Sequence, residues 1–117
     1  MQLHWSESLA AAYLRYHGLN ELARNHRCRY GEIDLIMRDG RGPQAVIVFI
    51  EVRYRQRSDF GAPEETVIAA KQRRILLTAN HYLQAQSCLD HITRFDVIAI
   101  SQPHYLSRIR WIQDAFA

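Results

Sequence analysis

Lysine is nearly missing from this chain. Of its 15 Lys and Arg residues in 117, only Lys71 is a lysine; the rest are arginines. Cysteine is scarce too. Cys28 and Cys88 are far apart, which excludes a disulfide framework and the close spacing of zinc or dithiol sites. Both read as reduced, buried thiols. No apolar run approaches the roughly 20 residues of a membrane-spanning helix. The opening Met1–Leu9 has no basic-then-apolar leader pattern, so the expected compartment is the cytoplasm. Repeats, low-complexity segments and linkers are also missing. What remains is 48% hydrophobic and 23% charged, the composition of a globular protein with a single domain over residues 1–117. A net charge of +3 is mild. Its arginine form suits forked contacts to phosphate or carboxylate, although an arginine-biased genome would give the same composition.

The chain is organised around Val46–Arg55. Five consecutive apolar residues, Val46 to Ile50, read as a buried strand that runs into Glu51. Side chains alternate, so Phe49, Glu51 and Arg53 share one face and Val48, Ile50 and Val52 the other. A carboxylate on so apolar a strand needs a partner, because burying an unpaired charge is costly.

Upstream, residues 6 to 17 read as a helix closed by Gly18. Leu3, Glu7, Ala10, Ala11 and Leu14 fall on one side of it, which puts Glu7 on the inward face. Glu7 could equally serve the positive helix start. Leu22–Cys28 is a weak strand candidate, and Glu32–Met37 a further strand beyond Gly31. The turn formers Asp39 to Gln44 join that strand to the next as a hairpin. Pairing Asp39 with Val46 sets Asp34 opposite Glu51, with Cβ atoms about 5 Å apart. Two carboxylates that close need a cation or a shared proton between them.

Downstream, Pro63 with Glu64 and Glu65 suits a helix start, and the helix runs to about Gln86. Ile68, Ile75, Ala79 and Tyr82 form its inner stripe. Lys71 lies at the edge of that stripe, while Arg73 and Arg74 point away. A lysine there either covers the sheet with its stem or has a role in a site. Arg94–Ile100 is a strand that a helical crossover lays parallel to a hairpin strand. Asp96 on it suits a structural hydrogen bond. Tyr105 to Ile112 suits a last edge strand, with Trp111 and Phe116 as packing anchors. The order of elements predicts an α+β fold with a mixed sheet and helices on it.

Asp34 and Glu51 on neighbouring strands suit a hard divalent ion such as Mg²⁺ or Mn²⁺, which takes one or two carboxylates plus waters and substrate phosphates. Arg53, Lys71 and Glu7 converge on the same region. Arg29, Arg55, Arg57 and Arg74 stand among arginines able to contact phosphates.

Gly31–Ile36, Val48–Arg55, Phe60–Glu65, Lys71 with Arg74, Ala79, Tyr82–Leu83, Arg94–Ile98 and Trp111–Ile112 with Ala115–Phe116 together resemble the YraN-like family of small bacterial proteins of uncharacterised function. That family's fold is similar to the archaeal Holliday junction resolvases, in the PD-(D/E)XK nuclease superfamily. The resemblance implies a restriction-endonuclease-like core with a metal-dependent phosphodiesterase site. Asp34 and Glu51 would be its metal ligands and Glu7 its helix carboxylate. Arg53 takes the place of the motif lysine, a departure, because arginine stays charged and is a poor general base. The metal alone would then activate water, or Lys71 would supply the missing ammonium, or catalysis would be lost.

Three readings follow. The first is a metal-dependent nuclease on structured or branched DNA, DNA being favoured over RNA; the resemblance to the resolvases allows a homodimer, and the apolar tail around Trp111 suits either such an interface or closure of the core. The second is a binding module that keeps the fold without turnover. The third is a structural protein whose basic surface meets an acidic partner.

Overall fold

A computed structural model of the chain describes residues 4–55, 68–88, 90–102 and 107–116. In order, the elements are α1 (His4–Tyr16), β1 (Leu19–Cys28), β2 (Gly31–Asp39), β3 (Val46–Arg55), α2 (Ala69–Ala85), β4 (Ile92–Ser101) and β5 (Arg108–Ile112). The fold is α+β. The strands form one five-stranded sheet in sequence order. Neighbours are antiparallel except β3 and β4, which run parallel because α2 lies in the connection between them. No helix among the described residues is long and apolar enough to cross a membrane.

Each face of the sheet carries one helix. On one side Ala10, Ala11 and Leu14 of α1 pack on Leu35, Met37, Val48, Ile50, Ile98 and Ile100. On the other, Ile75, Ala79, Tyr82 and Leu83 of α2 pack on Ile36, Ile47, Phe49, Phe95 and Val97. Alternation along β3 therefore assigns Phe49 to the α2 face and Val48 and Ile50 to the α1 face. The β2–β3 hairpin has the expected register, from Asp39↔Val46 to Leu35↔Ile50.

Several boundaries differ from the sequence reading. Strand β1 starts at Leu19, directly after Gly18, whose φ of +99° turns the chain out of α1. Alternating polar residues hid its first half. Ile68 does not belong to the inner stripe of α2: it is extended, precedes the helix and is 64% exposed. Pro63, Glu64 and Glu65 lie outside the described residues. Both cysteines are free but half-buried rather than buried.

The predicted edge strand is β5. Its Trp111 Nε1 donates to Asp96 Oδ2 at 2.9 Å, and Phe116 stacks on Phe95. Asp96 is fully buried. It also accepts two bonds from the Arg94 guanidinium and one from the Asp114 amide. Arg94 continues to Asp39, to which Arg41 donates from Nε and Nη2. Those contacts, led by Arg41, hold the Asp39 carboxyl well below the usual range. The result is a closed ionic network that fastens β5 and the hairpin turn to the sheet.

Candidate active site

Simple alternation fails at one level of the sheet. In β2, Ile33 and Ile36 both face α2, whereas Leu35 and Met37 face α1. Asp34 sits at the change of face. Across the ladder, Asn25 of β1 lies between the pairs Arg24↔Leu35 and His26↔Ile33 and takes a positive φ of 54°. Asparagine is among the few side chains that tolerate this conformation. The β2–β3 ladder stops at Leu35↔Ile50. Beyond it the Asp34 side chain replaces the missing strand partner, and the Val52 amide donates to Asp34 Oδ2 at 2.8 Å. The two strands part at this point, and a cleft opens.

That cleft holds about 200 Å³ and is lined by Asp34, Glu51, Lys71 and Arg74, with Gly31 and Glu32 at its edge. Glu51 is buried at 8% exposure, and its carboxylate is ion-paired with the Lys71 ammonium. Lys71 comes from the first turn of α2, which sets it above the middle of β3. Asp34 has its pKa pushed up to about 7. Burial is the main cause and the Glu51 charge comes next; the Val52 amide opposes both, Glu7 adds repulsion, and Lys71 relieves part of it.

The structure thus brings Asp34, Glu51, Lys71 and Arg74 around one cleft. Glu7 is buried in α1 at 5% exposure, on the other side of the sheet. It acts on Asp34 through its charge and does not line the cleft. Arg24, bonded to Ser8 of α1, raises a positive charge beside Glu7. Arg53 lies two residues past Glu51 on β3, on the α2 side by alternation, but outside the cleft lining. Arg55 ends β3 and is half-buried. Arg29 is exposed in the turn after β1, with its guanidinium 4.9 Å above the Tyr30 ring. Arg57 lies outside the described residues. Glu32 was missed as a lining residue, although the sequence places it two positions from Asp34.

Among the described residues, no cluster of three or more His, Cys, Asp or Glu side chains is arranged to hold a metal ion. Two carboxylates in a cleft are nonetheless the protein contribution that Mg²⁺ commonly uses alongside water and substrate phosphate. The chemistry of the donors fits. Asp34 and Glu51 offer oxygen only, and burial together with the Glu51 charge disfavours the bare Asp34 carboxylate.

Comparison with known proteins identifies relatives along nearly the whole chain. Residues 6–100 match a family described as "Uncharacterised protein family UPF0102". A UPF0102 protein of Methylobacillus flagellatus is 46% identical over 112 residues, spanning 96% of this chain and 93% of the relative. One from Psychromonas ingrahamii is 46% identical over 111 residues, spanning 95% and 85%. One from Coxiella burnetii is 47% identical over 111 residues, spanning 94% and 87%.

Proposed function

The chain belongs to the uncharacterised protein family UPF0102, and on that premise we propose that it is a metal-dependent endonuclease acting on structured or branched DNA. This is the family that its motifs resemble under the name YraN-like. The observation that carries the reading is the cleft itself: Asp34 and Glu51 at the parting of two strands, with the Lys71 ammonium on Glu51.

Asp34 and Glu51 would hold Mg²⁺ or Mn²⁺. Such an ion, when bound, polarises the phosphodiester and lowers the pKa of a bound water. The protein side chains do the rest. Val52 fixes the Asp34 carboxylate by its amide, so one oxygen stays directed at the sheet and the other is available to the cleft. Lys71 neutralises Glu51 in the resting state. From the cleft wall the same ammonium would face the negative charge that grows on the phosphate oxygens. Arg74 lines the same cleft and offers a second, permanent charge to the phosphate. Glu7 keeps the negative potential at Asp34 high and so favours a cation there.

Arg53 favours a second reading. It cannot lose its proton as a lysine can. If no other group replaces that lysine, the protein binds branched DNA without cutting it. Lys71 is the residue that separates the two, because it places an ammonium in the cleft from a different element. On the enzyme reading the protein works in the cytoplasm, and a homodimer would present two sites to a two-fold junction.

Mn²⁺ titration followed by electron paramagnetic resonance tests the metal assignment. Wild type should bind one Mn²⁺ in the cleft, and Asp34→Asn and Glu51→Gln should each lose it. Equal binding by both variants would remove the assignment.

A further inference from the structure

A second cavity lies beside the cleft, between the β1–β2 turn and the outer surface of α2. It holds about 520 Å³ and is lined by Arg27 from the end of β1, by Arg29 and Tyr30 from the turn and by Leu77, Asn80 and Gln84 from the helix. We propose that this cavity binds a single unpaired nucleotide next to the scissile phosphate, and that it selects branched or gapped DNA over duplex. The proposal rests on the reading of the adjacent cleft as a phosphodiesterase site.

Continuity is the first argument. Gly31 lines the cleft and Tyr30, its neighbour in the chain, lines the cavity. On the helix, Arg74 lines the cleft, while Leu77 and Asn80 line the cavity. Three to six residues span about 4.5–9 Å along a helix axis. At about 3.4 Å per nucleotide along a duplex strand, that is one to three nucleotides. Arg27 joins the two spaces, since it is ion-paired at 2.9 Å with Glu32, which lines the cleft.

The chemistry of the walls is the second argument. Asn80 and Gln84 stand four residues apart on one helix face, and each amide offers both donors and an acceptor, as a base edge does. Tyr30 and Leu77 supply flat and apolar surface. Arg29 lies 4.9 Å over the Tyr30 ring and donates to its hydroxyl at 2.7 Å, so the turn presents a fixed cation–aromatic pair. Aromatic surface, amides and arginine together are what unpaired nucleotides bind. A paired duplex keeps its base faces stacked inside and has no unstacked base to place in this cavity.

The test is metal-free DNA binding by fluorescence anisotropy with the full chain. Three probes of equal length are compared at low salt: a plain duplex, a duplex with a one-nucleotide gap and short flap, and the same flap with abasic sites. Wild type should prefer the flap over the duplex by roughly tenfold, the scale of one stacked base. The abasic flap should lose that preference. So should Tyr30→Ala and the double variant Asn80→Ala/Gln84→Ala, each to within about threefold, with duplex affinity retained. Asn80 and Gln84 are exposed, so the double variant leaves the core intact. A preference that survives in both variants, or an abasic flap bound as tightly as the normal one, overturns the proposal and leaves the active-site reading standing. Absence of any DNA binding by wild type overturns both.

Discussion

Lys71, the chain's single lysine, holds the buried Glu51 carboxylate in the middle of the central strand. Its place on α2 puts a cation in the cleft, whose lining includes Lys71 and not Arg53. Replacing it by Met should lower single-turnover cleavage of flap or junction DNA on the order of 10²–10³-fold, the scale of losing one stabilising charge at a reacting phosphate. DNA affinity should change little. A Lys71→Met variant with wild-type rates would show that the cleft does not use this ammonium.

Asp34 carries a pH signature. Its proton leaves the unfolded chain near 3.8 and the folded chain near 7. Metal-free stability should therefore fall as pH rises between those values and stay lower above 7. Asp34→Asn keeps an oxygen for the Val52 amide and has no charge to lose. It should be more stable than wild type at pH 8 by on the order of 2 kcal/mol, and the two should converge near pH 4. Urea titrations at both pH values measure this. Equal stability at pH 8 would deny that Asp34 is strained by burial and by Glu51.

Gly31 is where the β1–β2 turn passes under α2, at a φ of +149°. An added Cβ would stand 3.5 Å from Thr78 Oγ1, an ordinary contact. The loss in Gly31→Ala should thus come from backbone conformation and amount to about 1–3 kcal/mol. Thermal unfolding compared with Gly42→Ala, whose Cβ would meet nothing within 4 Å, isolates that effect. A Gly31→Ala protein as stable as wild type would contradict it.

Asp96 is the structural counterpart of the site carboxylates. Asp96→Ala strips the half-buried Arg94 of one of its two carboxylate partners and leaves the Trp111 and Asp114 N–H groups without an acceptor. A loss of about 3–5 kcal/mol is expected in denaturant unfolding. A loss below 1 kcal/mol would mean that water repairs the network.

Much of this was legible in the chain. The apolar run at Val46–Ile50 and the turn formers at Asp39–Gln44 defined the hairpin, and its register put Asp34 beside Glu51. Helical spacing placed Ile75, Ala79 and Tyr82 inward and Lys71 at the edge. The change of face at Asp34 was not legible, because strand periodicity assumes an unbroken ladder and the positive φ of Asn25 lies on a different strand. Glu7 lay on the buried face as expected, but wheel geometry does not say which side of the sheet a helix covers. Ile68 was misplaced because an apolar residue just before a helix is in phase with its inner stripe. The Lys71–Glu51 pair needed the packing of α2 on β3, which no local pattern encodes.

The central claim is that Asp34 and Glu51 form a metal-dependent phosphodiesterase site. The most direct measurement is cleavage of labelled flap and four-way junction DNA with Mg²⁺ or Mn²⁺, comparing wild type with Glu51→Gln. The account predicts metal-dependent cleavage by wild type and none by the variant. Cleavage that persists in Glu51→Gln, or a wild type that binds these DNAs and cuts none of them with either metal, would contradict it.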